Sequence, residues 1–167
     1  MSTDPKNDSR PDPRMEHSRR ASFGWMIQRL ARHTDRAMTE RLSPLGLSLS
    51  QFAVLMMVLE KGGQTQTQIG QNFGMPAYAI SRALDHLETT GLLERRAHPT
   101  SRRTYTIHGT AKGQALLPQL FAIIQATNAE LTAPLEDTEK AQLAGLLSVA
   151  VPGDRVAPAR LHPQLTR

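Results

Sequence analysis

Two copies of one four-residue signal, Ser48-Leu-Ser-Gln51 and Thr65-Gln-Thr-Gln68, constrain the fold of this chain more than any other feature. In each, the first hydroxyl can accept from the backbone N–H of the fourth residue, while the glutamine reaches back to the N–H of the first. Each therefore fixes the start of a helix. Phe52, Leu55, Met56 and Leu59 follow the first signal at i, i+3, i+4 and i+7, and Gly62-Gly63 ends that helix. The second signal opens a short helix carrying Ile69 and Phe73, closed by Gly74. Pro76 suits the first turn of the next helix, where its missing N–H is no loss. Ile80, Leu84 and Leu87 form the inward stripe of that helix, and Gly91 stands at its C-terminus. Two short helices joined by a tight glycine-containing link read as a helix-turn-helix.

Directly afterwards the pattern changes. Leu92-Leu93-Glu94-Arg95-Arg96 and Arg103-Thr104-Tyr105-Thr106-Ile107 have β-type composition, and 97–102 has turn composition, so a two-stranded hairpin, or wing, is expected. An earlier helix is expected over roughly 18–43, with Trp25, Met26, Leu30, Ala37, Met38 and Leu42 on one face, ended by Pro44 and Gly46. Thr110 caps a long helix to about 131 that Pro118 should bend. Pro134 and Asp137 introduce a last helix bearing Leu143, Leu146 and Leu147. Residues 1–17 read as a disordered arm and 151–167 as a flexible tail. The fold class is thus mainly α with a small β-hairpin: a winged helix-turn-helix over 45–109, flanked by terminal helices over 18–44 and 110–150.

Composition narrows the chemistry. The 167 residues contain no cysteine, which excludes disulfides, thiolate metal sites, a cysteine nucleophile and a thiol redox sensor. The six histidines (17, 33, 86, 98, 108, 162) never fall at metal-ligand spacing, and no glycine-rich phosphate loop or His-Glu-x-x-His occurs. No enzyme, metal or cofactor is therefore expected. The longest apolar run, Phe52 to Leu59, is far too short to span a bilayer, and the polar N-terminus lacks a secretory core, so a soluble cytoplasmic protein is expected. The net charge of +5 is unevenly placed. Residues 76–113 hold six bases and three acids, whereas 114–150 hold one lysine and four acids, so the excess gathers over the helix-turn-helix and hairpin.

From Leu45 to Gly113 the chain resembles the MarR family of winged-helix transcription regulators. The matching residues are Leu47-Ser-Leu-Ser-Gln-Phe-Ala-Val-Leu55, Thr67-Gln68-Ile69, Ile80-Ser-Arg-Ala-Leu-Asp-His-Leu-Glu88, Gly91-Leu-Leu-Glu-Arg95, Pro99-Thr-Ser-Arg-Arg103 and Thr110-Ala-Lys-Gly113. Two positions depart from the pattern: Ser101 stands where the family usually carries Asp, and Gly109 where Leu is usual.

A recognition helix buries one side and turns the other toward the major groove. The outward residues near its start are Ala77, Tyr78, Ser81 and Arg82, suited to base edges or phosphates. Asp85 lies one turn on, where an acid is repelled by phosphate, so it reads as orienting Arg82. Arg95 and Arg96 stand at the base of the wing, either solvated or on phosphates. Arg102 and Arg103 stand at its tip, which the resemblance directs to the minor groove. Thr65, Thr67 and Gln68 begin the first helix of the pair, either as an ordinary cap or facing a phosphate. His98, at the turn, reads as a surface residue.

The resemblance also implies that the terminal helices form a two-fold homodimer, so that two recognition helices meet half-sites of a pseudopalindromic operator in double-stranded DNA. It implies, further, a repressor released by a small aromatic or lipophilic anion. Trp25, Met26, His33, Met56 and Tyr105 are the candidate ligand residues, with ordinary core packing as the alternative. The competing functional reading is a winged helix used only to bind another protein, without sequence-specific DNA binding.

Overall fold

A computed structural model describes residues 21–98 and 100–150, so the expected arm 1–17 and tail 151–167 lie outside the described residues. Helix α1 spans Phe23–Leu42, and the Ser22 hydroxyl accepts from Trp25 N to cap it. A 3-10 turn, Ser43–Leu45, follows and ends at Gly46 with a φ of 68°, a left-handed conformation that favours glycine. Helix α2 is Leu49–Glu60. A two-residue strand β1, Gln64–Thr65, leads into α3, Gln66–Phe73. Both sequence signals form complete capping boxes, at Ser48 with Gln51 and at Thr65 with Gln68. Gly74 closes α3 in the left-handed region, as expected of a glycine there. The recognition-helix segment is α4, Ala77–Thr89.

The wing is β2, Leu93–His98, and β3, Ser101–Gly109. The sheet has three antiparallel strands in the order β1-β3-β2, rather than the expected two. Gln64 and Thr65 pair with Ile107 and Thr106, a strand too short to leave a pattern in the sequence. The turn is also tighter than the composition of 97–102 indicates. Register runs evenly from Leu93↔Gly109 to Ala97↔Tyr105 and then jumps to His98↔Ser101, so 102–104 are extra residues on β3. Side-chain bonds replace the missing backbone pairing: His98 Nδ1 accepts from Thr100 N at 3.3 Å, and Ser101 Oγ meets Thr104 Oγ1 at 2.8 Å.

Helix α5 runs Ala111–Thr132 without interruption through Pro118, and α6 is Asp137–Ala150. In the first turn of α6, Lys140 Nζ donates to Asp137 at 2.9 Å and holds that carboxyl below the usual carboxylate range. The chain forms two compact units that divide inside α5, after Thr127. The core lies in the first. Leu42, Leu47, Val54, Leu55 and Val58 meet Ile69, the expected α4 stripe Ile80, Leu84 and Leu87, and Ile107 and Leu120. Each such side chain contributes about 1.5–3 kcal/mol through burial. The start of α5 is bolted to the end of the helix-turn-helix. Thr110 Oγ1 donates to Gly91 O at 2.7 Å and accepts from Gly113 N at 3.0 Å, while Lys112 Nζ donates to Thr90 O at 2.7 Å.

Candidate nucleic-acid interface

Helix α4 presents the outward residues expected of it. Ala77 and Arg82 are exposed, Tyr78 is 68% exposed, and Ser81 is half-buried. Its N-cap is Pro76, which has no capping side chain, so the N–H groups of Ala77 and Tyr78 open toward solvent with the positive end of the helix dipole. Helix α3 differs: its box consumes Gln68 N and Thr65 N. Thr67 and Gln68 are exposed and Thr65 is half-buried, and the donors left at that terminus are the N–H groups of Gln66 and Thr67. The two helix starts thus flank a crease lined by Gln66, Thr67, Gln71, Met75, Ala77 and Ile80. Gln66 begins the same helix as Thr67 and Gln68, whereas Gln71, absent from the sequence reading, becomes visible only through this crease.

The arginines divide into distinct roles. Arg95 reaches back from β2 to α4, where its guanidinium donates to Asp85 Oδ1 at 2.6 Å and also pairs with Glu88. Burial acts to lower its pKa, but the hydrogen bond to Asp85 and the charge of Glu88 outweigh it, holding the guanidinium above its ordinary value. Asp85 therefore orients Arg95, not Arg82 as its position along the helix suggests. It also accepts a long bond, 3.5 Å, from Ser81 Oγ. Arg95 is half-buried between two carboxylates and serves as a strap between wing and recognition helix. Arg96 is exposed and its Nε donates to Glu94 Oε1 at 2.7 Å. Arg102 and Arg103 fall on the extra residues of β3, at the wing tip. Among the expected DNA contacts, exposed Tyr78 and Arg82 are thus set apart from half-buried Arg95 by their surroundings.

Of the candidate ligand residues, Trp25, Met26 and His33 share an open groove of about 420 Å³ on α1 with Leu30 and Arg29, whose guanidinium lies 5.4 Å from the Trp25 ring centroid. The structure does not bring the other two there. Met56 packs against the core, and Tyr105 is exposed on β3 opposite Ala97. No single described helix is long and apolar enough to cross a membrane.

A sequence profile of the MarR family matches residues 45–104. The transcriptional regulator MhqR of Bacillus subtilis is 32% identical over 114 residues, covering 68% of this chain and 79% of MhqR. The reduced form of MarR from Escherichia coli superposes with a TM-score of 0.73 at 30% identity, over 78% of this chain and 97% of that one. A mutant MarR from the same organism in complex with operator DNA gives a TM-score of 0.68 at 30% identity, over 77% and 93%. With a winged helix in the matching place and this likeness along most of both chains, the protein belongs to the MarR family of winged-helix transcriptional regulators, DNA-binding proteins that are not enzymes.

Proposed function

We propose that this protein is a sequence-specific repressor that binds a pseudopalindromic operator in double-stranded DNA as a homodimer and is released by a small aromatic or lipophilic anion. The observation that carries the DNA reading is the uncapped start of α4, with exposed Tyr78 and Arg82 beside it and a wing whose tip carries Arg102 and Arg103. Free helix N–H groups and an outward arginine suit phosphate and base-edge contact, and basic hairpin tips suit a minor groove. The operator complex of E. coli MarR supports the same reading. The groove over Trp25, Met26 and His33, with Arg29 at its edge, has the chemistry for an aromatic anion and is the proposed effector site.

Footprinting of the purified protein across its own promoter region supplies the operator, and titration of that duplex against salt supplies the test. Each neutralised phosphate steepens the slope of log K against log salt by about 0.9. Arg82→Ala is expected to reduce the preference for operator over unrelated duplex by about 10-fold, as loss of a good base contact does. Arg102→Ala with Arg103→Ala is expected to weaken both duplexes and flatten the salt slope by about 2. A salt-insensitive protein, indifferent to all three changes, would instead be a protein-interaction module.

A further inference from the structure

The wing has a second polar face that the contacts above leave unused. Register places Glu94 opposite His108 and Arg96 opposite Thr106, on the side of the sheet away from the Arg95 strap. There Gly63, Arg96, His98, Thr100, Thr106 and His108 line an open concavity of about 450 Å³. The hydrogen bonds fix which ring nitrogens carry protons in the neutral histidines. His98 Nδ1 accepts from Thr100 N, so its proton is on Nε2. Thr106 Oγ1 donates to Arg96 O and so accepts from His108 Nε2, 3.0 Å away, leaving His108 Nδ1 as a lone pair. Gly62 and Gly63 keep that ring uncovered: a Cβ at either would sit 3.5 Å from Nδ1 or 3.7 Å from Cε1. At His98 a second proton on Nδ1 gives up the bond from Thr100 N and is donated instead to Thr100 Oγ1, 3.3 Å away, whereas at His108 it enters the space beside the glycines with no bond lost.

Those two protons change the charge of the described lining. Among the described residues lining the concavity, Arg96 is the one permanent cation, and Glu94 offsets it. Around it, α2 ends in exposed Glu60 and Lys61 of opposite sign, β1 brings uncharged Gln64 and Thr65, and β3 adds Arg102 and Arg103 toward the tip. With neutral rings the lining and its Glu94 partner sum to zero, and with both rings protonated they carry +2. Imidazolium, guanidinium and hydroxyl are all donors, a set that suits an oxyanion.

We propose that this outer face of the wing is a proton-gated oxyanion site, which takes a phosphodiester of the DNA backbone when His98 and His108 are charged. The inference rests on the DNA-binding reading above and extends it to a contact outside the recognition helix and wing tip. An imidazole gains positive charge on acidification, so the contact strengthens as the pH falls.

The test measures operator affinity of the full chain at about pH 8 and about pH 6, each across a salt series. Wild type is expected to bind ~10-fold tighter at the lower pH, with a salt slope steeper by about 2. His98→Gln and His108→Gln should each remove part of that gain, and together most of it. Proton uptake is read independently on the wild type, by following the two imidazole C–H resonances with pH, with and without duplex. Bound duplex should raise both midpoints. Midpoints unmoved by duplex, or a pH response intact in the double variant, overturn the proposal. Inorganic phosphate in place of duplex distinguishes the source of the anion: an equal rise with phosphate alone assigns the site to free phosphate and overturns the DNA contact. Operator binding that is the same at both pH values overturns the gate while leaving the DNA reading intact. No duplex binding at either pH overturns both.

Discussion

Gly113 is buried where α5 begins, and a Cβ added there would collide with the backbone carbonyl oxygen of Leu92. Backbone cannot step aside as a side chain can. Gly113→Ala is therefore expected to cost about 1–3 kcal/mol, the usual range for overpacking. Gly145, in α6, has nothing within 4 Å of its own added Cβ, so Gly145→Ala should be neutral or stabilise by about 0.5–1 kcal/mol. Thermal unfolding of the two variants checks the contrast, and equal melting temperatures would refute the close approach. Gly109 is a related case with a softer wall: an added Cβ would lie 2.5 Å from Leu59 Cδ2. Leu59, from α2, occupies the space that a leucine at this position would enter. The glycines themselves were legible in the sequence. What they face was not, because Leu92 and Leu59 arrive from other segments of the chain.

Among the elements, the helix starts were the most legible. Ser48, Thr65 and Thr110 each cap the helix expected of them, since a cap is an interaction within four residues. The wing was legible as a hairpin but not in its details. β1 is two residues long and exists only because β3 offers it an edge, and the bulge at 102–104 follows from a register that composition does not carry. The same limit hid the partner of Asp85. On the helix alone Arg82 is its neighbour, yet the fold brings Arg95 to within 2.6 Å. Arg95→Ala leaves two carboxylates on α4 without their cation and is expected to cost about 1–2 kcal/mol, with faster amide exchange in β2 and β3. Arg96→Ala, at an exposed site, should stay within about 0.5 kcal/mol. Indistinguishable stability of the two variants would show that the strap does not hold the wing.

At the scale of the whole molecule, each compact unit leaves apolar side chains in water. Phe23 and Ile27 on α1 are 79% and 57% exposed, and Leu146 and Val149 on α6 are 71% and 86% exposed. Such surface fits a second copy of the chain, as the proposed homodimer requires. Analytical ultracentrifugation at micromolar concentration is expected to show a dimer. Leu146→Glu with Val149→Glu should shift it toward monomer and weaken operator binding by at least ~10-fold, because one half-site then binds alone. A wild-type monomer that still footprints both half-sites would sink the dimer. By itself the sequence determined the order of the elements, their starts and the placing of positive charge over the helix-turn-helix and wing. Capping, periodicity and turn chemistry act over a few residues and survive in a linear reading. Only the tertiary structure decided that Arg95 is a strap while Arg82 stays exposed, which glycines are enforced, and that His98 and His108 share one face of the wing. Those properties depend on charge and contact between segments that the chain keeps apart and folding brings within a few ångströms.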